Sequence, residues 1–558
     1  MEPEQEDGMR EYKLKLTGKT DRRIESIASQ MRYRCEQGGT ECIYNIGVED
    51  DGTLTGITLD EYKETLGVLN SAANKNNYTV SLLWSKKTED EKSVYEVLVR
   101  ENNKEKYIDI KVTIAGNVDS GKSSFIGVIT SGKFDDGRGS ARLPVFNFPH
   151  EVKTGRTSSI GQHILGYDSS GKIVNYNDID GKMNWSEIVK RSSKVISFFD
   201  LAGHEKYLKT TILGLSSAEP DVCFIMIAAN KGIRSEKNIR QRGKKKKHEN
   251  MTREHIFLCI LLKIPFVIII TKIDMVEERK NVLKETMSDI HKIIKSPGSR
   301  RQPIQVKTDD DVLICAKQTH TESIVPIFTI SNVSGFGIDK IQLYLNVLGK
   351  TRPKKIFNDV EYRIDSTWTI SGVGSVLGGH LITGTIKVGD NLLIGPNNGK
   401  YEQVVVRSIH CKRVPLQSVS HGSYVCLGLK KYNRKNIRRG NVLLSNILQQ
   451  VFCEEFVAEV KVIQSHSTTI RIGYEPVIHV SVIRQTAVLV KIENKVNSRK
   501  TESMNDSNDD ILRTGDKATA TFRMRYQPEY IVPGMRILLS EGKTKCVGIV
   551  KSINPKLV

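Results

Sequence analysis

The sequence predicts a multidomain chain, α/β in its first part and all-β in its second. It divides into a small α/β domain over residues 1–106, a larger α/β domain built on a parallel sheet over 107–350, and two small β-barrels over 356–448 and 451–558. Three observations lead there. At 558 residues the chain is too long for one hydrophobic core. Between residues 107 and 331 apolar runs of strand length are separated by helical patterns, and a Gly-rich loop joins the first of those strands to a helix. Beyond residue 356 the helical period stops, and short β-branched runs broken by Gly and Asn replace it.

The first domain carries no recognisable chemistry. "TDRRIESIASQMRYRCEQGG" predicts a helix with Thr20 at its N-cap and Gly38-Gly39 as its stop, and "DDGTL" marks a hairpin turn. A second helix and two strands, "YTVSLLW" and "VYEVLV", follow.

The second domain opens with "YIDIKVTIAG" (Tyr107 to Gly116), which alternates and then runs apolar, as a strand entering a covered parallel sheet does. "GNVDSGKSS" comes next, then "KSSFIGVITSG", a helix ending near Gly132. Strand, Gly-rich turn and helix in this order make a phosphate-cradling loop. The backbone N–H groups from Gly116 through Asn117, Val118, Asp119, Ser120 and Gly121 to Lys122 surround the phosphates at the positive end of the helix, with Ser123 and Ser124 in its first turn. Lys122 then reaches the β and γ phosphates, and the Ser123 hydroxyl binds Mg²⁺.

Two further strand ends complete a nucleotide site. "KVISFFDLAGHEKY" is an apolar strand ending in Asp200, placed to hold Mg²⁺ through a water, with Gly203 offering its N–H to the γ-phosphate. "PFVIIITKID" delivers Thr271, Lys272 and Asp274. A carboxylate at Asp274 can accept both N1–H and the exocyclic amine of guanine, a pair that adenine does not present, so the nucleotide is GTP or GDP. Between the first two motifs, "EVKTGRTSSIG" puts Thr157 where a switch threonine would meet Mg²⁺ and the γ-phosphate. After the third, "VPIFTISNVSG" predicts a strand ending at Ser331, and the order of these strand-ending motifs resembles that of small GTP-binding domains, which implies that the loop at Ser331, Asn332 and Val333 turns its backbone to the guanine. A helix over Val276 to Lys295 places Val282, Met287, Ile290 and Ile294 on one face.

"DLAGHEKYLKTT" resembles the Asp-x-x-Gly-His signature of translational GTPases, and His204 falls where elongation factor Tu and its relatives keep the histidine that orients the attacking water. "GRTSSIGQHILGYDSSGKIVN", "FFDLAGHEKYLKTTILG" and "IIITKIDM" together resemble the family of GTP-binding protein 1 and GTP-binding protein 2, over residues 107 to 558. The resemblance implies a Mg²⁺-dependent P-loop GTPase followed by two barrels, with His204, Lys122 and Thr157 catalytic. It implies Ser123, Thr157 and Asp200 around the metal, and a monovalent cation at Asp119. One departure is visible: "RSEKNIRQRGKKKKHEN" (residues 234–250) is inserted where the family runs nearly directly from strand to helix.

After the basic linker "TRPKK", "WTISGVGSVLGGHLITGTIKVGDNLLIGP" and "RRGNVL" resemble the second domain of translation factors. A third all-β segment begins near Phe452 and is interrupted by the polar loop "NSRKTESMNDSNDD". The net charge of +20 favours a polyanionic partner, nucleic acid first. Nine scattered cysteines without CxxC pairs argue against a zinc site or a disulfide framework. No stretch keeps about 18 apolar residues together, so the expectation is a soluble, cytoplasmic monomer with no membrane partner. Three functional readings stay open: a translational GTPase engaging ribosome and tRNA, a GTP-gated interaction protein acting on other RNA in turnover or surveillance, and the GTPase subunit of a sulfate-activating enzyme. The basic charge counts against the third.

Overall fold

The computed structural model describes residues 4, 8–18, 20–88, 92–102, 107–155, 157–176, 184–204, 207–217, 219–233, 251–276, 280–295, 301–350, 358–445, 451–463, 470–496, 511–541 and 543–557. The basic insert at 234–250, the linker "TRPKK" and the polar loop 497–510 lie outside them. Among the described residues no helix is long and apolar enough to cross a membrane.

The N-terminal unit runs β1 (Arg10–Lys13), α1 (Asp21–Gln37), β2 (Glu41–Ile46), α2 (Leu59–Lys75), β3 (Tyr78–Lys87) and β4 (Ser93–Glu101), in a sheet of order β1-β2-β4-β3. Thr20 occupies the N-cap of α1 without a side-chain cap bond, whereas Thr58 and Glu61 form a full capping box on α2. "DDGTL" makes a turn closed by one isolated antiparallel bridge, Val48 to Leu54, rather than a hairpin of two strands. The alternation of the strands divides the sheet. Cys42, Tyr44, Ile46, Val97 and Val99 pack with α1 and α2 residues such as Ile27, Met31 and Leu69. Ile43 and Leu98 instead join the core of the next unit.

That next unit contains β5 (Ile108–Gly116), α3 (Lys122–Ser131), α4 (Pro149–Thr154), β6 (Gly161–Tyr167), α5 (Trp185–Arg191), β7 (Lys194–Asp200), α6 (Leu208–Ser217), β8 (Val222–Ala228), α7 (Met251–Leu262), β9 (Phe266–Thr271), α8 (Lys280–Ile294), β10 (Gln302–Gln305), α9 (Asp309–Gln318), β11 (Ile324–Thr329) and α10 (Ile338–Val347). The sheet order is β10-β11-β9-β8-β5-β7-β6, parallel except for the edge strand β6. β5, β8 and β9 are buried along their whole length, since one apolar core holds α3, α9 and α10 residues on one face and another holds α6, α7 and α8 residues on the other. This two-sided cover explains why those strands read as unbroken apolar runs. α8 begins at Lys280, later than the pattern suggests, because a 3₁₀ turn occupies Ile273–Val276; its Ile290 and Ile294 are buried, with Val282 and Met287 packed beside them. β5 sits between β8 and β7, so the chain order reverses there and leaves a crevice at the carboxyl ends of the strands.

The remaining chain is all-β. β12 (Glu361–Ile370), β13 (Gly374–Thr383), β15 (Asn391–Asn397), β16 (Lys400–Cys411), β17 (Val414–Leu416), β19 (Tyr424–Leu429) and β20 (Val442–Leu444) form a sheet of order β15-β20-β12-β13-β19-β16-β17, which a β15–β16 pairing closes on itself, while β14 (Thr385–Lys387) and β18 (Ser418–Ser420) pair separately. A second closed barrel joins β21 (Val451–Val462), β26 (Lys517–Met524), β24 (Ile483–Val496), β23 (Val477–Val480), β27 (Arg536–Glu541) and β28 (Lys543–Leu557); β22 (Ile470–Arg471) and β25 (Ile511–Leu512) pair separately. Closure removes the edge strands that short sheets would otherwise expose.

The units also meet through polar contacts. Lys412 pairs with Asp109 at 2.6 Å, both nearly buried, and Lys111 Nζ donates to His380 Nδ1 at 3.1 Å, which ties the first barrel to β5. Arg438 binds Glu529 with 2.8 and 2.7 Å bonds across the two barrels. The N-terminal sheet is joined to the nucleotide-type domain by a buried network in which Glu41 accepts from Arg100 and from Lys194.

Candidate active site

The loop after β5 curves because its own polar groups close on one another. Val118 N–H donates to Asn117 Oδ1 at 2.8 Å and Ser120 Oγ donates to the Asn117 carbonyl at 2.8 Å. Gly121 sits at φ 82°, the left-handed region, at the N-cap of α3, and Asp119 shares that region at φ 60°. Lys122, nearly buried, folds back so that Nζ donates to the carbonyls of Gly116 (3.2 Å) and Asn117 (2.8 Å). Burial holds its ammonium below the usual lysine range, with Asp200 and Asp119 opposing that shift.

Three side-chain oxygens converge beside it. Ser123 Oγ donates to Asp200 Oδ2 at 2.7 Å and lies 2.9 Å from Thr157 Oγ1, which itself donates to the same Oδ2 at 3.1 Å. Asp200 is buried, and among the described residues its second oxygen, Oδ1, has no hydrogen-bond partner. Burial pushes this carboxyl above the ordinary aspartate value, despite Lys122, Ser123 and Thr157. A buried carboxylate with a bare oxygen and two hydroxyls in reach is a donor set that suits a hard divalent cation such as Mg²⁺. These residues fit the metal that the fold implies.

A cleft opens over this cluster, lined by Val118, Asp119, Gly121, Lys122, Ser123, Ser124, Thr157, Gly203 and His204. Gly203 has no room for a side chain: a Cβ would lie against Lys122 Nζ and 2.6 Å from the Gly116 carbonyl. His204 is half-exposed at the mouth, with its ring edge-to-face against Tyr207 at 6.2 Å. Asp119 Oδ2 accepts from Lys231 Nζ at 3.1 Å, so an ammonium already neutralises the carboxylate at which a monovalent cation is expected.

The base-side residues are stitched to the phosphate loop. Thr271 Oγ1 donates to the Ser120 carbonyl at 2.9 Å. Asp274 Oδ1 accepts from Ser331 Oγ at 2.6 Å, and Ser331 Oγ in turn accepts from the N–H groups of Val333 and Ser334. Asn332 reaches the Gly121 carbonyl with Nδ2, and its buried Oδ1 has no partner among the described residues. Lys272 stands at φ 60° immediately before the short turn that carries Asp274. Each sequence-identified residue therefore lies at the carboxyl end of β5, β7, β9 or β11, or on the loop before β6.

Three contributors escaped the sequence reading. Arg142 lines the cleft and Phe134 lies against Gly335 beside the base loop. Glu151, on α4, is buried and accepts six hydrogen bonds around Thr157. The Pro149-x-Glu151 start, a proline at the first helical position and an acid at the third, was a readable helix signal.

Comparison with known proteins identifies the domains that carry this cleft. Residues 109–366 match the family described as Elongation factor Tu GTP binding domain, and residues 374–444 match Elongation factor Tu domain 2. The chain is 37% identical to GTP-binding protein 2 of Homo sapiens over 99% of this chain and 88% of that protein. It is also 37% identical to GTP-binding protein 1 of Xenopus laevis over 97% of this chain and 78% of that one. Among solved structures, the translation elongation factor SelB of Methanococcus maripaludis, in complex with the GTP analogue GppNHp, superposes with a TM-score of 0.53 at 19% identity, covering 81% of this chain and 80% of that one. That likeness concerns the fold.

Proposed function

Since the chain belongs to the GTP-binding protein 1 and 2 family of elongation factor-like GTPases and is a GTP-hydrolysing enzyme, we propose that it uses the cleft over Lys122 as a Mg²⁺-dependent switch whose GTP state engages the ribosome and tRNA. The observation that carries the reading is the convergence of the Ser123 and Thr157 hydroxyls on Asp200 Oδ2, with the buried Oδ1 of the same carboxylate lacking a partner among the described residues and His204 at the mouth above.

The residues then divide the work. The N–H groups of the loop from Gly116 to Lys122 cradle the phosphates, and Lys122 exchanges its two carbonyl partners for β and γ phosphate oxygens. Ser123, Thr157 and Asp200 hold Mg²⁺, which when bound neutralises charge building on the transferred phosphoryl group. Gly203, with no side chain in the way, turns its N–H to the γ-phosphate. His204 orients the water for in-line attack, so catalysis comes from positioning and from charge stabilisation. Asp274, one oxygen fixed by Ser331, selects guanine; Thr271, Lys272, Asn332 and Val333 complete the base side. A monovalent cation at Asp119 has to displace Lys231.

The net charge of +20 supports an RNA partner. Single-turnover GTP cleavage measured with and without ribosomes tests the reading. Stimulation is the expected result; none, together with crosslinks to messenger RNA but not to tRNA or ribosomal RNA, transfers the assignment to RNA turnover.

A further inference from the structure

We propose that Glu151 is a positioning residue that holds Thr157 toward Ser123 and Asp200, and that it thereby favours the triphosphate over the diphosphate state. This rests on the reading of Thr157 as a metal and γ-phosphate contact.

Glu151 is 1% exposed, on a helix of only six residues. Its Oε2 accepts from the N–H groups of Asn147 (3.0 Å) and Phe148 (3.3 Å), which caps the start of α4. Capping requires one oxygen. The other, Oε1, accepts from the N–H and Oγ of Ser158 (2.7 and 2.8 Å) and from the N–H and Oγ of Ser159 (3.1 and 3.2 Å). One carboxylate thus ties the entry of the helix to the two residues that follow Thr157. His150 adds a 2.8 Å contact from Nε2 to the same Ser158 hydroxyl.

Charged acceptors make hydrogen bonds about twice as strong as neutral ones, and the four donors to Oε1 all come from the two residues that follow Thr157. With residues 158 and 159 fixed, the backbone of Thr157 has little freedom, and its hydroxyl stays 2.9 Å from Ser123 Oγ and 3.1 Å from Asp200 Oδ2. Only the triphosphate brings the γ-phosphate that Thr157 would meet, so the clamp acts on that state alone. Supporting groups of this kind commonly change metal affinity about 10- to 100-fold when removed.

The test is Mg²⁺-dependent binding of a fluorescent non-hydrolysable GTP analogue and of fluorescent GDP to the full chain, for wild type, Glu151→Gln, Glu151→Asp and Thr157→Ala. Glu151→Gln keeps the shape but turns an amide NH₂ toward N–H donors. It is expected to raise the Mg²⁺ needed for half-maximal analogue binding about 10-fold, leave GDP binding unchanged, and speed hydrogen exchange at Ser158 and Ser159. Glu151→Asp, one methylene short of spanning both ends, should fall between. If Thr157→Ala shifts analogue binding and Glu151→Gln does not, the clamp is overturned while the Thr157 reading stands. If neither shifts, the Thr157 reading and the clamp fall together. Equal weakening of analogue and GDP by Glu151→Gln overturns the positioning role in favour of a general fold defect.

Discussion

Glu41→Gln removes, among the described residues, the anion that pairs with Arg100 and Lys194 in a buried site joining the N-terminal unit to the GTPase unit. Glu41 accepts from Arg100 at 2.9 and 2.7 Å and from Lys194 at 2.9 Å, and both cationic side chains have 0% exposure. Removing one partner of a buried ion pair costs about 3–5 kcal/mol, because it strands charge in a medium that cannot solvate it. The lower end applies here. Arg100 keeps the Asp168 carbonyl at 3.0 Å and the Asn346 carbonyl and amide oxygens at 3.2 Å, while Lys194 keeps the Asn346 carbonyl at 2.7 Å, so neither loses all its acceptors. About 3 kcal/mol is roughly two decades in an opening equilibrium. A chain of several units does not unfold in one step, so the assay is native-state hydrogen exchange on β2, β4 and α10 rather than a melting temperature. Protection there should fall about 100-fold in Glu41→Gln. The double variant Glu41→Gln/Lys194→Met, which removes one stranded cation as well, should recover part of that loss. A change of less than about threefold in the single variant, or a double variant that loses the full sum of both singles, refutes the reasoning.

Three further outcomes follow from the geometry. Asp274→Asn should move nucleotide preference from GTP toward XTP in titration calorimetry, since an amide can donate to the xanthine carbonyl that a carboxylate repels; tight ATP binding by the wild type would remove Asp274 as base reader. Gly203→Ala should abolish hydrolysis and weaken GTP and GDP binding alike, because its Cβ collides with the Lys122 ammonium and the Gly116 carbonyl of the loop assigned to the phosphates of both; wild-type turnover would show that the loop yields. Burial pushes the Glu41, Glu96 and Asp109 carboxyls up, but Lys194 and Arg100, Arg10 and Lys317, and Lys412 and Lys111 respectively outweigh it and hold all three below their ordinary values of 4.5, 4.5 and 3.8. Their stabilisation is complete above those values and is lost as pH falls through the lower folded ones, so acid unfolding should begin at the contacts between units, read by hydrogen exchange below about pH 4.5. Glu41→Gln should flatten that acid limb, and an unchanged limb would contradict the assignment.

The GTPase unit was legible because its chemistry sits at strand ends, where a few adjacent residues carry the whole signal. Gly116 to Ser124, Asp200 to His204 and Thr271 to Asp274 can each be read without knowing what packs above them, and the two-sided burial of β5 and β9 made the strands themselves visible as apolar runs. The edge strand β6 and the short β1 carry no such run, and neither was read as a separate element. Long-range pairing was beyond the sequence. Glu41 in "TECIYNI" is one polar residue in a strand until the fold brings it to Lys194, 153 positions away. Lys412 and Asp109 are 303 apart. Glu151 lies only six residues before Thr157, yet its role depends on a short helix whose start binds one carboxylate oxygen while the loop after it binds the other. The pairing of Asp119 with Lys231 was equally invisible, and it puts a lysine where the resemblance implies a cation.

The central claim is that the cleft between Lys122 and His204 hydrolyses GTP with His204 orienting the water, and single-turnover cleavage by wild type and His204→Ala, with ribosomes present and nucleotide affinity measured alongside, tests it most directly. His204 is half-exposed at the mouth of the cleft, and the Ser123 and Thr157 hydroxyls are held by Asp200 Oδ2, so GTP affinity should barely change. The cleavage rate should fall on the order of 10² to 10³, the usual cost of losing one group aligned with the transition state. Equal cleavage rates in the two proteins at equal affinity would contradict the account.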